Sequence, residues 1–93
     1  MKIPNKGDIW LVHYPYITPG NMEKIRPAII KSINEKDDTL IVQKLTTQKH
    51  HNIRFIHPKL KKITYLSNEY IKINNYNLIR YIGKDFQGKK VIK

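Results

Sequence analysis

The sequence predicts a mainly β fold, a small barrel or sandwich of six or seven short strands with one or two short helical turns. Three observations carry this expectation. Apolar, β-branched and aromatic runs recur at spacings of about 8 to 12 residues, and Gly, Pro, Asn and Asp cluster between them. The chain has 93 residues, a length that buries roughly two thirds of its unfolded surface and so holds one modest core. No repeat, low-complexity tract or linker divides it, and residues 1–93 are expected to form a single domain.

The first strand is Asp8-Ile-Trp-Leu-Val-His-Tyr14, entered through Gly7 and closed by Pro15. Its apolar residues fall on both faces, the pattern of a strand covered on two sides, with His13 as a partly buried polar tip at a rim. Tyr16 to Lys24 gathers Pro19, Gly20 and Asn21 and reads as a loop. Ile25-Arg-Pro-Ala-Ile-Ile-Lys-Ser-Ile33 resumes extended chain, with Pro27 confined to the strand's start or to an edge because it cannot donate to a ladder. The polar turn Asn34 to Asp38 and the run Thr39-Leu-Ile-Val-Gln-Lys-Leu45 turn this segment into an antiparallel hairpin with a loop of about five residues. Thr46 to His51 is polar and reads as a loop, and Asn52 to His57 alternates into a strand stopped by Pro58. Leu60-Lys-Lys-Ile-Thr-Tyr-Leu66 and Tyr70-Ile-Lys-Ile73 give two more short strands. From Asn74 two structures fit: a helical turn capped by Asn74 or Asn75 and running through Leu78, or a strand over Leu78-Ile-Arg-Tyr-Ile82 before Gly83.

Composition narrows the function classes. With no cysteine there is neither a disulfide framework nor a thiolate metal site, so a zinc finger is excluded. The opening residues Met1-Lys-Ile-Pro-Asn-Lys6 are polar where a secretory signal needs about 7 to 15 apolar residues, and no run approaches bilayer length. A cytoplasmic protein without a membrane partner is expected. The formal charge is +11, and it is uneven: residues 1–48 carry seven Lys/Arg against five Asp/Glu, residues 49–93 eleven against two. Such a field favours a polyanion, whether nucleic acid, an acidic protein segment or an anionic surface. Fifteen of the eighteen cations are Lys, and with Ile and Asn also abundant an AT-rich genome yields the same bias. Arg26, Arg54 and Arg80 stand out because the guanidinium fork holds phosphate in a fixed geometry where Lys is a mobile point charge.

Gly7-Asp-Ile-Trp-Leu-Val12, the Pro/Gly loop and Lys24-Ile-Arg-Pro-Ala-Ile-Ile30 together resemble the opening of the PemK/MazF family of toxin ribonucleases. The resemblance continues through Ile41-Val-Gln-Lys-Leu-Thr-Thr-Gln48, Leu60 to Leu66 and Asn77-Leu-Ile-Arg-Tyr-Ile-Gly83, covering about Lys6 to Gly83. It implies an SH3-like barrel of the CcdB/PemK type and a homodimer. It also implies metal-independent cleavage of single-stranded RNA, with no cofactor, and an acidic antitoxin whose tail folds across the active groove. Some members carry an Arg and an Asp as acid and base in the segment matching Tyr70–Asn74, where this chain has Lys72 and Asn74. Members relying on the early Arg and the loop Thr match it better. Longer members add a C-terminal amphipathic helix after the position of Gly83.

Cutting RNA without a metal needs an acceptor for the 2′-OH proton, a donor for the leaving 5′-oxygen, and positive groups around the transition state. Arg26 suits the last role, and Pro27 fixes the backbone presenting it; its alternative is an ion pair with Glu23 or Asp8. Thr46 falls on the family's catalytic threonine, and Thr47 follows in the same loop. The hydroxyls of both can bind phosphate oxygens or the backbone of the turn. Gln48 can read a base edge, Lys24, Lys49 and His50 can contact the RNA, and Tyr16 at the loop mouth can stack on a base. His50, His51 and His57 are expected as surface imidazoles, and no carboxylate near them in sequence completes a metal site. Most of the other aromatics (Tyr14, Phe55, Tyr65, Tyr70, Tyr76, Tyr81) are expected in the core. Two other function classes fit: a non-catalytic barrel that binds RNA or a protein partner, and a toxin acting by protein contact, as gyrase poisons on a similar barrel do.

Overall fold

A computed structural model describes residues 3–14, 24–47 and 53–92 of the chain. Seven strands follow in order: β1 (Asp8–His13), β2 (Ile25–Asn34), β3 (Thr39–Thr46), β4 (Ile53–Ile56), β5 (Thr64–Asn74), β6 (Leu78–Lys84) and β7 (Lys89–Ile92). Single 3₁₀ turns at Asn75–Asn77 and Asp85–Gln87 precede β6 and β7. All pairings are antiparallel, and the spatial order is β6-β1-β2-β3-β5-β4-β7.

That order forces curvature. β6 and β7 are the two edges of the sheet, yet only the second 3₁₀ turn and Gly88 separate them in sequence, so the sheet curls and brings the end of β6 near the start of β7. Glycine is required along this seam because backbone passes directly over aromatic rings. A Cβ on Gly88 would stand 2.4 Å from Cζ of Phe55, and one on Gly83 2.8 Å from Cε1 of His57. His57 is itself buried, not at the surface as the sequence suggests. Its Nε2–H donates to the Lys84 carbonyl at 2.8 Å and its Nδ1 accepts the Lys59 amide at 3.0 Å, which fixes the neutral tautomer.

Both faces of the central strands are covered, as the first strand's pattern predicts. Trp10, Val12, Tyr14, Ala28, Ile30, Leu40, Val42 and Ile73 pack on one side, and Ile9, Ile29, Leu45, Phe55 and Leu66 on the other. Alternate residues of β1, β2 and β3 thereby form a wall shared by two apolar clusters. Trp10 meets Tyr81 edge to face at 5.8 Å between ring centroids. Of the aromatics expected inside, Tyr14, Phe55 and Tyr65 are buried and Tyr81 half-buried, whereas Tyr70 and Tyr76 are exposed on and beside the outer half of β5.

Asp8, fully buried, ties β1 to β6. Its carboxylate accepts the Asn5 amide at 2.8 Å and the Trp10 indole at 3.2 Å, and it pairs with Lys84. Burial opposes its ionisation, but the Lys84 ammonium and the two donors outweigh that and hold the carboxyl below the usual carboxylate range. The same contact raises Lys84.

The hairpin of β2 and β3 forms as expected, with paired residues from Ala28↔Lys44 to Asn34↔Thr39 and Asp38 of the turn in the left-handed region at φ 60°. Pro27 is the third residue of β2, at its start. Three details differ from expectation. The expected strand over 60–66 begins only at Thr64, residues 60–63 being irregular, and it runs on through the expected 70–73 strand as one strand, β5, because the polar break Ser67-Asn68-Glu69 is a bulge inside it. The alternatives after Asn74 both occur, a helical turn followed by a strand. β7 has no counterpart in the sequence pattern, since all four of its residues are exposed and only backbone pairing with β4 holds it as a strand.

Candidate functional site

The site lies at one end of the β2–β3 ladder. Ala28 faces Lys44, and continuing that register by two residues brings Arg26 level with Thr46 on the same face of the sheet. On its other side Arg26 pairs with Val12 of β1. The Tyr14 amide donates to the Lys24 carbonyl at 3.0 Å, carrying the β1–β2 ladder one step further and fixing the backbone from which Lys24 extends. The buried Tyr14 ring lies under the ammonium of Lys44, 5.4 Å from its nitrogen.

Two clefts meet at Arg26. The smaller, about 70 Å³, is lined by Lys24, Arg26, Lys44 and Thr46 with Leu45, Ser67 and Glu69. The larger, about 660 Å³, opens on the face of β6, β1 and β2 against the segment joining β4 to β5. Leu11, Pro27, Leu60 and Ile82 form its apolar floor, while Arg26, Lys59, Lys61, Lys62 and Arg80 crowd its rim; Thr47 reaches it from the end of β3. Among the described residues its lining contains no carboxylate, so the cleft presents a single sign of charge to any ligand.

Arg26 is exposed and its Nη1 donates to the Ile25 carbonyl at 3.0 Å. The pairing with Asp8 considered from sequence does not form, because Asp8 is buried against Lys84, Asn5 and Trp10. Thr46 is half-buried at the last position of β3 rather than in a loop. Arg26, Lys24 and Thr46 therefore share one cleft, and Thr47 shares the other with Arg26. Tyr16, Gln48, Lys49 and His50, together with Glu23 and His51, lie outside the described residues. Lys72 pairs with Asp37 at 3.6 Å and the Asn74 amide donates to the Tyr76 hydroxyl at 3.0 Å; neither borders the clefts.

Lys44, Ser67 and Glu69 are cleft residues that the sequence does not single out. Glu69 is one of only two acids in the basic half of the chain, and this isolation was the available signal. Among the described residues no three His, Cys, Asp or Glu side chains lie together as a metal site would need. Nor is any described helix long and apolar enough to cross a membrane.

An open cleft with a guanidinium, two hydroxyls, two ammonium groups and one carboxylate can hold a phosphodiester and move protons around it. The comparison with known families returns a match over most of the chain. The model of PemK-like, MazF-like toxins of type II toxin-antitoxin systems matches residues 5–90. No curated protein is similar enough to be matched. With nearly the whole chain aligned to that model and the small, curled β barrel in place, the chain belongs to the PemK-like, MazF-like toxin family of type II toxin-antitoxin systems.

Proposed function

We propose that this toxin is a cytoplasmic endoribonuclease that cuts single-stranded RNA at selected sequences without a metal ion. It works as a homodimer and is held inactive by an acidic antitoxin. The observation that carries this reading is the meeting of Arg26 from β2 and Thr46 from the end of β3 at one open, basic cleft.

In the reaction the 2′-oxygen attacks the adjacent phosphorus and gives up its proton, while the bond from phosphorus to the 5′-oxygen breaks and that oxygen takes a proton. The products are a 2′,3′-cyclic phosphate and a 5′-hydroxyl. Arg26 grips two phosphate oxygens and meets the charge that grows on them in the transition state. Thr46 donates to one of the same two non-bridging oxygens and orients the group. Lys24, Thr47, Gln48, Lys49 and His50 hold the flanking nucleotides, and Tyr16 stacks on a base. The basic rim of the large cleft carries the backbone onward.

The test is incubation of the purified protein with a long single-stranded RNA in EDTA, with end-group analysis of the fragments. Cleavage that persists in EDTA and leaves cyclic phosphate ends is expected. Cleavage abolished by EDTA overturns the metal-free chemistry, and salt-sensitive binding with intact RNA overturns the nuclease in favour of a binding barrel.

A further inference from the structure

The β3–β5 ladder is interrupted where the cleft opens. Pairing steps from Gln43↔Tyr70 to Leu45↔Leu66, so Ser67, Asn68 and Glu69 together oppose Lys44. Such bulges re-aim side chains and are frequent beside active sites. This one is pinned from three directions. The Ser67 hydroxyl donates to the Lys44 carbonyl at 2.8 Å and accepts the Glu69 amide at 3.2 Å, and the Gln43 side-chain amide donates to the Ser67 carbonyl at 2.9 Å. The outcome is a Glu69 carboxylate 2.7 Å from the Lys44 ammonium, both bordering the cleft of Arg26 and Thr46.

Arg26 is engaged as a cation on the phosphate oxygens and the Thr46 hydroxyl is a feeble base, so neither is given the task of moving a proton. Two roles in the reaction are thus unfilled. A carboxylate beside a phosphate also repels it, so a furrow that only bound RNA would do better without Glu69. Nor does stability explain the pair, because Glu69 is largely in water and exposed ion pairs contribute little.

Building on the nuclease reading, we infer that Lys44 and Glu69 are its acid and base. Glu69 takes the proton from the 2′-hydroxyl as the 2′-oxygen bonds to phosphorus. Lys44 gives a proton to the 5′-oxygen as its bond to phosphorus breaks. Turnover leaves a neutral carboxylic acid against a neutral amine, and their direct contact lets the proton pass from Glu69 to Lys44, restoring the charged pair.

The experiment compares two oligonucleotides containing a cleaved sequence, one with the natural scissile phosphate and one with sulfur at its 5′-bridging position, which leaves as thiolate without needing a proton. Single-turnover rates are measured for wild type, Lys44→Arg and Glu69→Gln, with thermal melts to verify folding. Lys44→Arg keeps the charge in place but holds its proton far more tightly, which makes it a much weaker acid. Removing a general acid or base slows reactions by roughly 100-fold or more. Lys44→Arg is expected to lose about that much on the natural substrate and to come within about fivefold of wild type on the sulfur substrate. Glu69→Gln is expected to be about equally impaired on both. An equal deficit of Lys44→Arg on both substrates, or wild-type rates for either variant on natural RNA, overturns the assignment while leaving the nuclease reading intact. Wild-type protein that cuts neither oligonucleotide, nor any RNA, overturns the nuclease reading itself.

Discussion

Replacing Asp8 by Ala removes the carboxylate that joins β1 to β6 and leaves its partners facing a void. The buried Trp10 indole N–H loses its acceptor, a loss of about 1–3 kcal/mol, and the Asn5 amide loses a charge-assisted bond of about 1 kcal/mol. Lys84 suffers less, because its side chain is 28% exposed and regains water. Together these give a destabilisation of about 3 kcal/mol. At roughly 4–8 °C per kcal/mol for a chain of this length, melting should fall by about 12–24 °C. Asp8→Asn keeps an acceptor oxygen and should lose about half as much. Urea titration followed by tryptophan fluorescence and circular dichroism measures both variants. A change under about 0.5 kcal/mol for Asp8→Ala, the size of an ordinary surface substitution, would refute the clamp.

Three further outcomes follow from the same geometry. Because the folded state depresses the Asp8 carboxyl, its contribution is fully present above the unfolded value of about 3.9 and is lost as pH falls through the folded value; urea midpoints of wild type should drop on acidification below about pH 4, and Asp8→Asn should flatten that limb. Gly88→Ala drives a methyl into the Phe55 ring and should destabilise by about 1–3 kcal/mol, so an unchanged melting temperature would mean that the seam opens freely. RNA binding should weaken with salt, and the double variant Lys61→Ala/Lys62→Ala should reduce the slope of log K against log salt by about 1.4, at roughly 0.7 for each phosphate no longer neutralised; an unaltered slope removes this rim from the RNA path.

The elements legible in the sequence are those whose burial repeats along the chain. β1 shows both its faces because Ile9 faces one apolar cluster and Trp10 and Val12 the other. The hairpin of β2 and β3 is marked by a polar turn between two alternating runs. Arg26 and Thr46 lie on the two strands of that hairpin and border one cleft, but it is the family resemblance of their segments, not their spacing, that singles them out in the sequence. The illegible parts depend on distant partners. Ser67-Asn68-Glu69 reads as a break because a bulge and a loop have the same polar signature, and only pairing to Lys44 distinguishes them. His57 looks like any surface imidazole until the Lys84 carbonyl arrives from β6. Lys89-Lys90-Val91-Ile92 has no alternation because neither face is covered. Glu69 joins Lys44 across 25 residues of sequence, a pairing that no local spacing encodes.

The most direct measurement is a cycle of Arg26→Ala, Thr46→Val and the double variant in single-turnover cleavage of single-stranded RNA in EDTA. Each single change should slow cleavage, Arg26→Ala by about 100-fold as for the loss of one transition-state donor. The double variant should lose much less than the product of the two, because both groups act on one phosphate. RNA left intact by the wild-type protein, or single variants that cut at the wild-type rate, would contradict the convergence of these two side chains on the scissile bond.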